Sequence, residues 1–179
     1  MPEPYRIIRS DRKTMQLSID AFGRLTVRVP RTTTDAAIAQ FLSNHAEWIK
    51  KHMPPPNQRI VPLTQREVYA LADRAVKEIP PRVGQFAAEM RVTYGQITIR
   101  NQRTRWGSCS GRKNLNFNCL LLLVPEPVMD YVIVHELCHL IHLDHSKAFW
   151  ATVEKFMPDY KTRKAWLDEH GGAIIARLP

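Results

Sequence analysis

Hydrophobic and polar residues alternate in three short stretches near the start of the chain. These stretches cover residues 5–8, 15–19 and 25–29, and they are separated by Ser10-Asp11 and Phe22-Gly23. An apolar residue at every second position is typical of a β-strand with one buried face, and small or polar residues between such stretches are typical of turns. The pattern therefore predicts a three-stranded β-meander.

The spacing of apolar residues then changes to three or four, which predicts a helix. Thr34-Asp35 is suited to cap this helix, which should run to about His52. Its inner stripe is predicted to consist of Ala37, Ile38, Phe41, Leu42, His45, Trp48 and Ile49. The proline-rich segment 53–57 that follows should be stiff and extended. We interpret it as the boundary between an N-terminal lobe, residues 1–56, and a main domain, residues 57–179, which together should form one compact unit.

The main domain mixes helical and extended patterns. Thr64 and Glu67 form a capping box for a helix to about Phe86, which Pro80-Pro81 should break. Extended segments are predicted at residues 90–94, 96–100, 106–110 and 115–118, and two late helices at residues 146–157 and 159–170, the last closed by Gly171-Gly172. Strands and helices in this order predict an α+β fold.

One apolar stretch, Tyr131 to Leu143, contains the sequence His135-Glu136-Leu137-Cys138-His139. Prolines are tolerated in the first turn of a helix, so a helix beginning near Pro127 has about two turns before His135. Apolar residues cover most of its circumference, and a helix that is apolar all round is a buried helix. Two imidazoles and a carboxylate buried in this way need partners, and a metal ion supplies them.

The spacing of these residues suits hydrolytic metal chemistry. Histidines four residues apart lie one above the other on a helix, and Glu136 lies where a carboxylate can take the proton of a metal-bound water. The third ligand is either His142 or His145. His142 shares the helical face, but three rings of one straight helix converge on a tetrahedral ion only with strain, which favours His145 after a turn at Asp144. Three histidines leave a position for water, as in catalytic zinc sites, and peptide-bond hydrolysis is the natural reaction.

Residues around this motif resemble a known family. The motif is followed by His145-Ser146 and Phe149-Trp150, and it is preceded by the blocks Arg105-Trp106-Gly107-Ser108-Cys109-Ser110 and Leu115-Asn116-Phe117-Asn118. Two N-terminal segments add to the likeness, Arg9-Ser10-Asp11-Arg12-Lys13 and Trp48-Ile49-Lys50-Lys51. The whole is similar to the YgjP-like metallopeptidases, zincins related in outline to the SprT-like and WLM proteases. Asp144 departs from the asparagine expected there.

This resemblance, which covers nearly the whole chain, implies both a fold and an activity. It implies a zincin-like fold in which the metal-binding helix packs on a small, mostly antiparallel sheet. It also implies one zinc ion held by His135, His139 and His145, with Glu136 as the general base of an endopeptidase that acts on polypeptides.

Seven further residues are candidates for binding substrate or for supporting the ligands: Tyr131, His142, Trp106, Gly107, Ser108, Asn116 and Asn118. The segment 105–110 is expected to form an edge strand whose free backbone groups pair with a substrate peptide. For Tyr131 and Trp106 a packing role in the core is favoured over a role in recognition. His142 fits an exposed helix position or a supporting role, and both asparagines could either orient substrate or close a turn.

The composition of the chain shows an excess of positive charge. The chain has a net charge of +9, and its densest basic segment contains Arg100, Arg103, Arg105, Arg112 and Lys113. These residues form either a solvated surface or a rim that attracts acidic polypeptide or nucleic acid. An alternative function is therefore a nucleic-acid-associated or scaffold protein whose metal site is structural or catalytically silent.

The remaining composition argues against a membrane protein and a disulfide scaffold. Three cysteines without a CxxC pair argue against a disulfide framework and a thiolate zinc site. No apolar run reaches the ~20 residues of a membrane span, and the first residues lack the apolar core of a secretory signal. We therefore expect a cytoplasmic protein.

Overall fold

Short strands and helices alternate along the chain in the computed structural model, which describes residues 5–20, 22–55 and 60–179. The chain divides into an N-terminal unit, Met1–Val61, and a main unit, Pro62–Pro179. Within the described residues, six α-helices and two three-stranded sheets confirm the α+β class. The predicted boundary between residues 56 and 57 lies outside the described residues.

The N-terminal unit contains a three-stranded sheet of β1 (Arg6–Ser10), β2 (Gln16–Ile19) and β3 (Leu25–Pro30). The strand order is β1-β3-β2, with β1 parallel and β2 antiparallel to β3. The predicted meander is therefore wrong in its pairing, although the three strands are present. The reason lies in β3, whose apolar residues are the most deeply buried of the three strands. This strand takes the central position, where both of its edges are paired.

Two helices cover one face of this sheet, α1 (Asp35–Asn44) and α2 (Ala46–His52). They replace the single helix that the sequence predicts, because the chain leaves helical geometry at His45, whose ring Nδ1 donates to the carbonyl of Phe41 at 2.8 Å. From the predicted stripe, Ile38, Leu42 and Ile49 form the core with β3. Trp48 is 38% exposed and does not belong to this inner face.

The longest helix of the main unit, α3 (Gln65–Met90), begins at the predicted capping box of Thr64 and Glu67. It continues through Pro80 and Pro81, so the predicted break is wrong. Ile79 and Val83, on either side of the pair, are fully buried and hold the helix in place. The two carbonyls that lose their amide donors belong to exposed residues, where water can solvate them. Because the helix reaches Met90, the predicted strand at residues 90–94 is also wrong.

The second sheet consists of β4 (Ile97–Arg100), β5 (Gly107–Cys109) and β6 (Leu115–Asn118) in the order β4-β6-β5. β4 runs parallel and β5 antiparallel to the central strand β6. The prediction of a mostly antiparallel sheet is therefore wrong, since each kind of pairing occurs once. β6 is central because its Leu115 and Phe117 are fully buried, and this leaves β5 as an edge strand beside the next helix.

A short 3-10 turn, Cys119–Leu123, leads from β6 into α4 (Glu126–Cys138), which α5 (Lys147–Phe156) and α6 (Tyr160–Ile175) follow. Ten of the residues in α4 are buried, as predicted for a helix that is apolar all round. α6 continues past Gly171-Gly172, so the end that the sequence predicts there is wrong, and the Trp106 side chain packs directly on Gly171. In the part of the chain that the structure describes, no helix combines the length and apolarity needed to cross a bilayer.

Candidate metal centre

Three histidines approach one another where α4 ends and α5 begins. His135 lies in the last turn of α4, and His139 is its C-cap residue. The chain then turns, and the Asp144 carboxylate accepts a hydrogen bond from the amide of Ser146 at 3.2 Å. Ser146 in turn caps α5 by accepting from the amide of Phe149. This turn brings His145 back toward the end of α4.

The ring nitrogens of these histidines form a compact donor set. One nitrogen of each ring, in His135, His139 and His145, lies within 4.8 Å of the others. The Nε2 atoms of His135 and His145 are 3.1 Å apart. Two histidine nitrogens on a tetrahedral zinc ion, each ~2.1 Å from it, would be separated by about 3.4 Å. The His135–His145 pair is therefore close to the spacing that zinc requires, and the third ring lies near enough to complete the set.

His142 occupies a different position from the three clustered rings. Its backbone carbonyl accepts a hydrogen bond from Nδ1 of His139 at 3.1 Å, which leaves Nε2 of His139 with a free lone pair. Its own ring Nε2 lies 3.0 Å from the hydroxyl of Thr152, which donates to the carbonyl of Ala148. His142 thus orients a neighbouring ring through its backbone. Thr152 has no distinctive signal in the sequence, and we did not predict its contact.

Packing against aromatic rings holds the three histidines in place. The fully buried ring of Phe149 lies 4.9 Å from His135, 4.6 Å from His139 and 4.8 Å from His145, measured between ring centroids. Nδ1 of His135 is buried without a hydrogen-bond partner among the described residues. The orientation of this ring therefore depends on packing, with Phe149 on one side and Tyr131, at 5.8 Å, on another.

Burial also keeps the rings in the form that binds metals. Desolvation, with smaller effects from His139 and His145, lowers the pKa of His135 to about 3. The pKa of His139 is lowered as well, mainly by desolvation, although its hydrogen bond to His142 acts in the opposite direction. Neutral imidazole is the form of histidine that coordinates a metal ion. Both rings are therefore neutral and ready to act as ligands near physiological pH.

Glu136 follows His135 in α4, and its side chain lies beside β5. Its side chain is 5% exposed, and burial raises its pKa to about 8, while the guanidinium of Arg105 acts in the opposite direction. A Cβ atom built on Gly107 would lie 2.7 Å from both Cγ and Oε1 of Glu136. Glycine at this position of β5 therefore leaves the space that the carboxylate occupies.

The remaining candidates divide into packing and hydrogen-bonding residues. Tyr131 is 4% exposed and its pKa is raised, first by desolvation, which agrees with the packing role favoured from the sequence. Trp106 lies with its indole Nε1 3.1 Å from a Cβ built on Gly171, so it also packs. Ser108 and Asn116 face each other across β5 and β6, and the Asn116 amide donates to the Ser108 hydroxyl at 3.2 Å.

Asn118 closes a turn. It is 1% exposed, and its amide donates to the carbonyls of Gln102 and Arg105 at 2.6 and 3.1 Å. Its side-chain oxygen accepts from the amide of Leu120 at 3.1 Å. This residue fixes the backbone of the segment that leads into β5.

The basic residues predicted as one cluster do not form one surface. Arg100 pairs with Asn118 at one end of the second sheet, whereas Arg112 and Lys113 lie in the turn before Leu115 at the other end. Arg103 donates to the backbone oxygen of Pro179, and Arg105 acts on Glu136.

The chain is similar to known metallopeptidases. The family model described as YgjP-like, metallopeptidase domain, matches residues 13–69 and 64–170. No curated protein matches the chain. Among solved structures, the metallopeptidase zymogen abylysin of Pyrococcus abyssi is 22% identical with a TM-score of 0.45, and the match covers 50% of this chain and 91% of abylysin. The metallopeptidase zymogen jannalysin of Methanocaldococcus jannaschii is 18% identical with a TM-score of 0.46, covering 51% of this chain and 95% of jannalysin.

The family match extends from residue 13 to residue 170 and so includes the three histidines, Glu136 and the strand beside them. On this basis the chain belongs to the YgjP-like metallopeptidase family.

Proposed function

We propose that this protein is a zinc-dependent endopeptidase in which His135, His139 and His145 hold one zinc ion and Glu136 is the general base. The observation that carries the proposal is the convergence of three histidine ring nitrogens within 4.8 Å of one another. The buried Glu136 carboxyl group directly follows the first of these histidines in α4. Three histidine ligands leave a coordination position for water or substrate, as in catalytic zinc sites.

Each part of the site has a distinct task in peptide hydrolysis. A zinc ion, when bound, polarises the scissile carbonyl and makes a water molecule more acidic. Glu136 takes the proton of the attacking water and later delivers a proton to the leaving amine. The ring of Phe149 packs against all three histidine rings and holds them in position. The backbone carbonyl of His142 fixes the ring of His139 by accepting a hydrogen bond from its Nδ1. Arg105 places a positive charge near Glu136, where a substrate carbonyl would approach.

The polypeptide substrate is proposed to bind along β5. Within the described residues this strand pairs with β6 alone, so the backbone groups of its other edge are available. An extended peptide that adds to such an edge gains backbone hydrogen bonds and little sequence selectivity. Gly107 allows this strand to run directly beside the Glu136 side chain. The scissile bond would then lie next to the base and the zinc ligands.

The test is cleavage of an unfolded protein by the zinc-loaded wild type and by the Glu136→Gln variant. We expect Glu136→Gln to retain one zinc ion per chain and to cut about 10²–10⁴-fold more slowly, the usual contribution of a general base. Glu154→Gln is the matched control, because it removes an exposed carboxylate of α5 and should leave the rate unchanged. If the wild type cuts nothing and zinc removal unfolds it, the metal is structural and the proposal is wrong.

A further inference from the structure

The sheet of the N-terminal unit has two chemically different faces. On one face, Leu25, Val27 and Val29 are at most 3% exposed and pack with residues of α1 and α2. Directly paired residues of neighbouring strands point to the same side of a sheet, and successive residues point to opposite sides. The strand register therefore places a second set on the other face, which we call the outer face: Arg6, Ile8, Ser10, Gln16, Ser18, Thr26, Arg28 and Pro30.

Among the residues of this unit that the structure describes, the aspartates form ion pairs with arginines other than those of the outer face. Three other arginines each pair with an aspartate: Arg9 with Asp35, Arg24 with Asp20, and Arg31 with Asp11. Among the described residues, Arg6 and Arg28 form no ion pair, and neither does Arg12 in the turn after β1. The aspartates described in this unit are thus all engaged elsewhere.

Among the described residues, two of these guanidinium groups donate hydrogen bonds to uncharged side chains. Arg28 donates to the hydroxyl of Ser18 at 3.3 Å, and Arg12 donates to the side-chain oxygen of Gln16 at 3.2 Å. Nε of Arg12 is buried and has no hydrogen-bond partner among the described residues. Arg6 is exposed and pairs across the sheet with Thr26. The face therefore offers positive charge that no carboxylate of the described residues neutralises through an ion pair.

This set of side chains matches the chemistry of phosphate contacts. Arginine, serine, threonine and glutamine side chains commonly donate hydrogen bonds to nucleic-acid phosphates. One guanidinium group can donate two parallel hydrogen bonds to two oxygens of the same phosphate. No strand residue of the outer face is acidic or aromatic. Tyr5, just before β1, packs with the core. Without an aromatic platform for stacking unpaired bases, the face suits a duplex better than a single strand.

We propose that the outer face, together with Arg12 of the adjacent turn, binds the phosphate backbone of a nucleic-acid duplex through Arg6, Arg12 and Arg28. Contacts of this kind carry no sequence information, so binding is expected to be independent of base sequence. The proposal is independent of the peptidase function, because it uses no residue of the zinc site. It assigns duplex binding to the N-terminal unit, whereas the basic segment around Arg105 in the main unit is divided between separate positions.

The experiment measures the affinity of the full-length protein for a short random-sequence DNA duplex over a range of salt concentrations. Three phosphate contacts predict a slope of log K against log salt of about −2.7, equivalent to about a 40-fold loss of affinity between about 50 and 200 mM salt. The double variant Arg6→Gln, Arg28→Gln should reduce the slope to about −0.9 and weaken binding at least about tenfold at low salt.

A matched control distinguishes binding at the outer face from a general effect of the protein's net positive charge. The double variant Lys50→Gln, Lys51→Gln removes the same charge from exposed positions of α2, in the helical layer across the core from the outer face, and should bind as the wild type does. Arg6→Lys with Arg28→Lys should retain most of the binding, which guards against a glutamine variant that fails to fold.

Three results would overturn the proposal. The first is the absence of duplex binding at low salt. The second is an equal loss of affinity in the Arg6, Arg28 and the Lys50, Lys51 double variants, which would indicate general charge. The third is displacement of the duplex by polyglutamate at equal charge concentration, with polyglutamate binding lost in the Arg6, Arg28 variant. That result would assign the face to acidic polypeptides.

Discussion

Gly107 is the position where the smallest change should disturb the site most. A methyl group added there would lie 2.7 Å from Cγ and Oε1 of Glu136 and 2.9 Å from its Cδ. Cγ is close to the backbone of α4, so the carboxylate has to leave its present rotamer to make room. Gly107 has no φ in the left-handed region, so an alanine there adds no backbone strain and the steric contact is the whole effect.

The expected magnitudes differ for stability and activity. Crowding by one methyl group in a packed site destabilises the folded protein by about 1–3 kcal/mol. Replacing glycine by alanine also lowers the conformational entropy of the unfolded chain, which stabilises the folded protein by about 0.4–1 kcal/mol. The net loss of about 0–2.5 kcal/mol lowers the melting temperature by up to about 10 °C. A catalytic group displaced by about 1 Å costs about 10²-fold in rate. Gly107→Ala should therefore remain folded and retain zinc, yet lose most of its activity.

The assay compares melting temperature, zinc per chain and kcat/KM on an unfolded protein for the wild type, Gly107→Ala and Gly111→Ala. Gly111 is the matched control, because nothing lies within 4 Å of a Cβ built there, in the turn that follows β5. Gly111→Ala should behave as the wild type in all three measurements. A folded, zinc-loaded Gly107→Ala protein with the kcat/KM of the wild type would refute the role assigned to Glu136 and its position.

Two further predictions concern stability and are checked by thermal melting. Gly172→Ala should stabilise the protein by up to about 1 kcal/mol, because it replaces glycine inside α6 where a Cβ meets nothing within 4 Å. Gly171→Ala should not share this gain, since its Cβ would lie 3.1 Å from an indole ring, and equal gains in both would contradict that packing. Arg82→Ala should cost about 3 kcal/mol, because it leaves the Asp130 carboxylate, 9% exposed, without the guanidinium that binds it. Arg74→Ala breaks an exposed ion pair and should cost less than about 1 kcal/mol; equal losses would show that the buried pair is not special.

Local signals in the sequence were sufficient for most elements. The capping box at Thr64, the cap at Ser146 and the alternation in β2 and β3 each act within a few residues, and each appears in the structure. The convergence of His145 with His135 and His139 also follows from a short turn, so its geometry could be predicted from spacing.

Properties that depend on distant residues could not be predicted. Local alternation does not indicate which strand becomes central, so the parallel pairing of β1 with β3 required knowledge of how deeply β3 is buried. Burial also overrides helix breakers: α3 passes through Pro80-Pro81 because the residues on both sides are in the core. In the same way, the contact between His142 and Thr152 joins the ends of two elements that meet only in the folded chain.

The zinc content of purified protein tests the metal centre most directly. Elemental analysis of the wild type, His145→Ala and His142→Ala gives the number of ions per chain. We expect one zinc ion in the wild type, its loss in His145→Ala, and its retention in His142→Ala, whose backbone carbonyl still orients His139. Full zinc content in His145→Ala, or none in a folded wild type supplied with zinc, would contradict the three-histidine site.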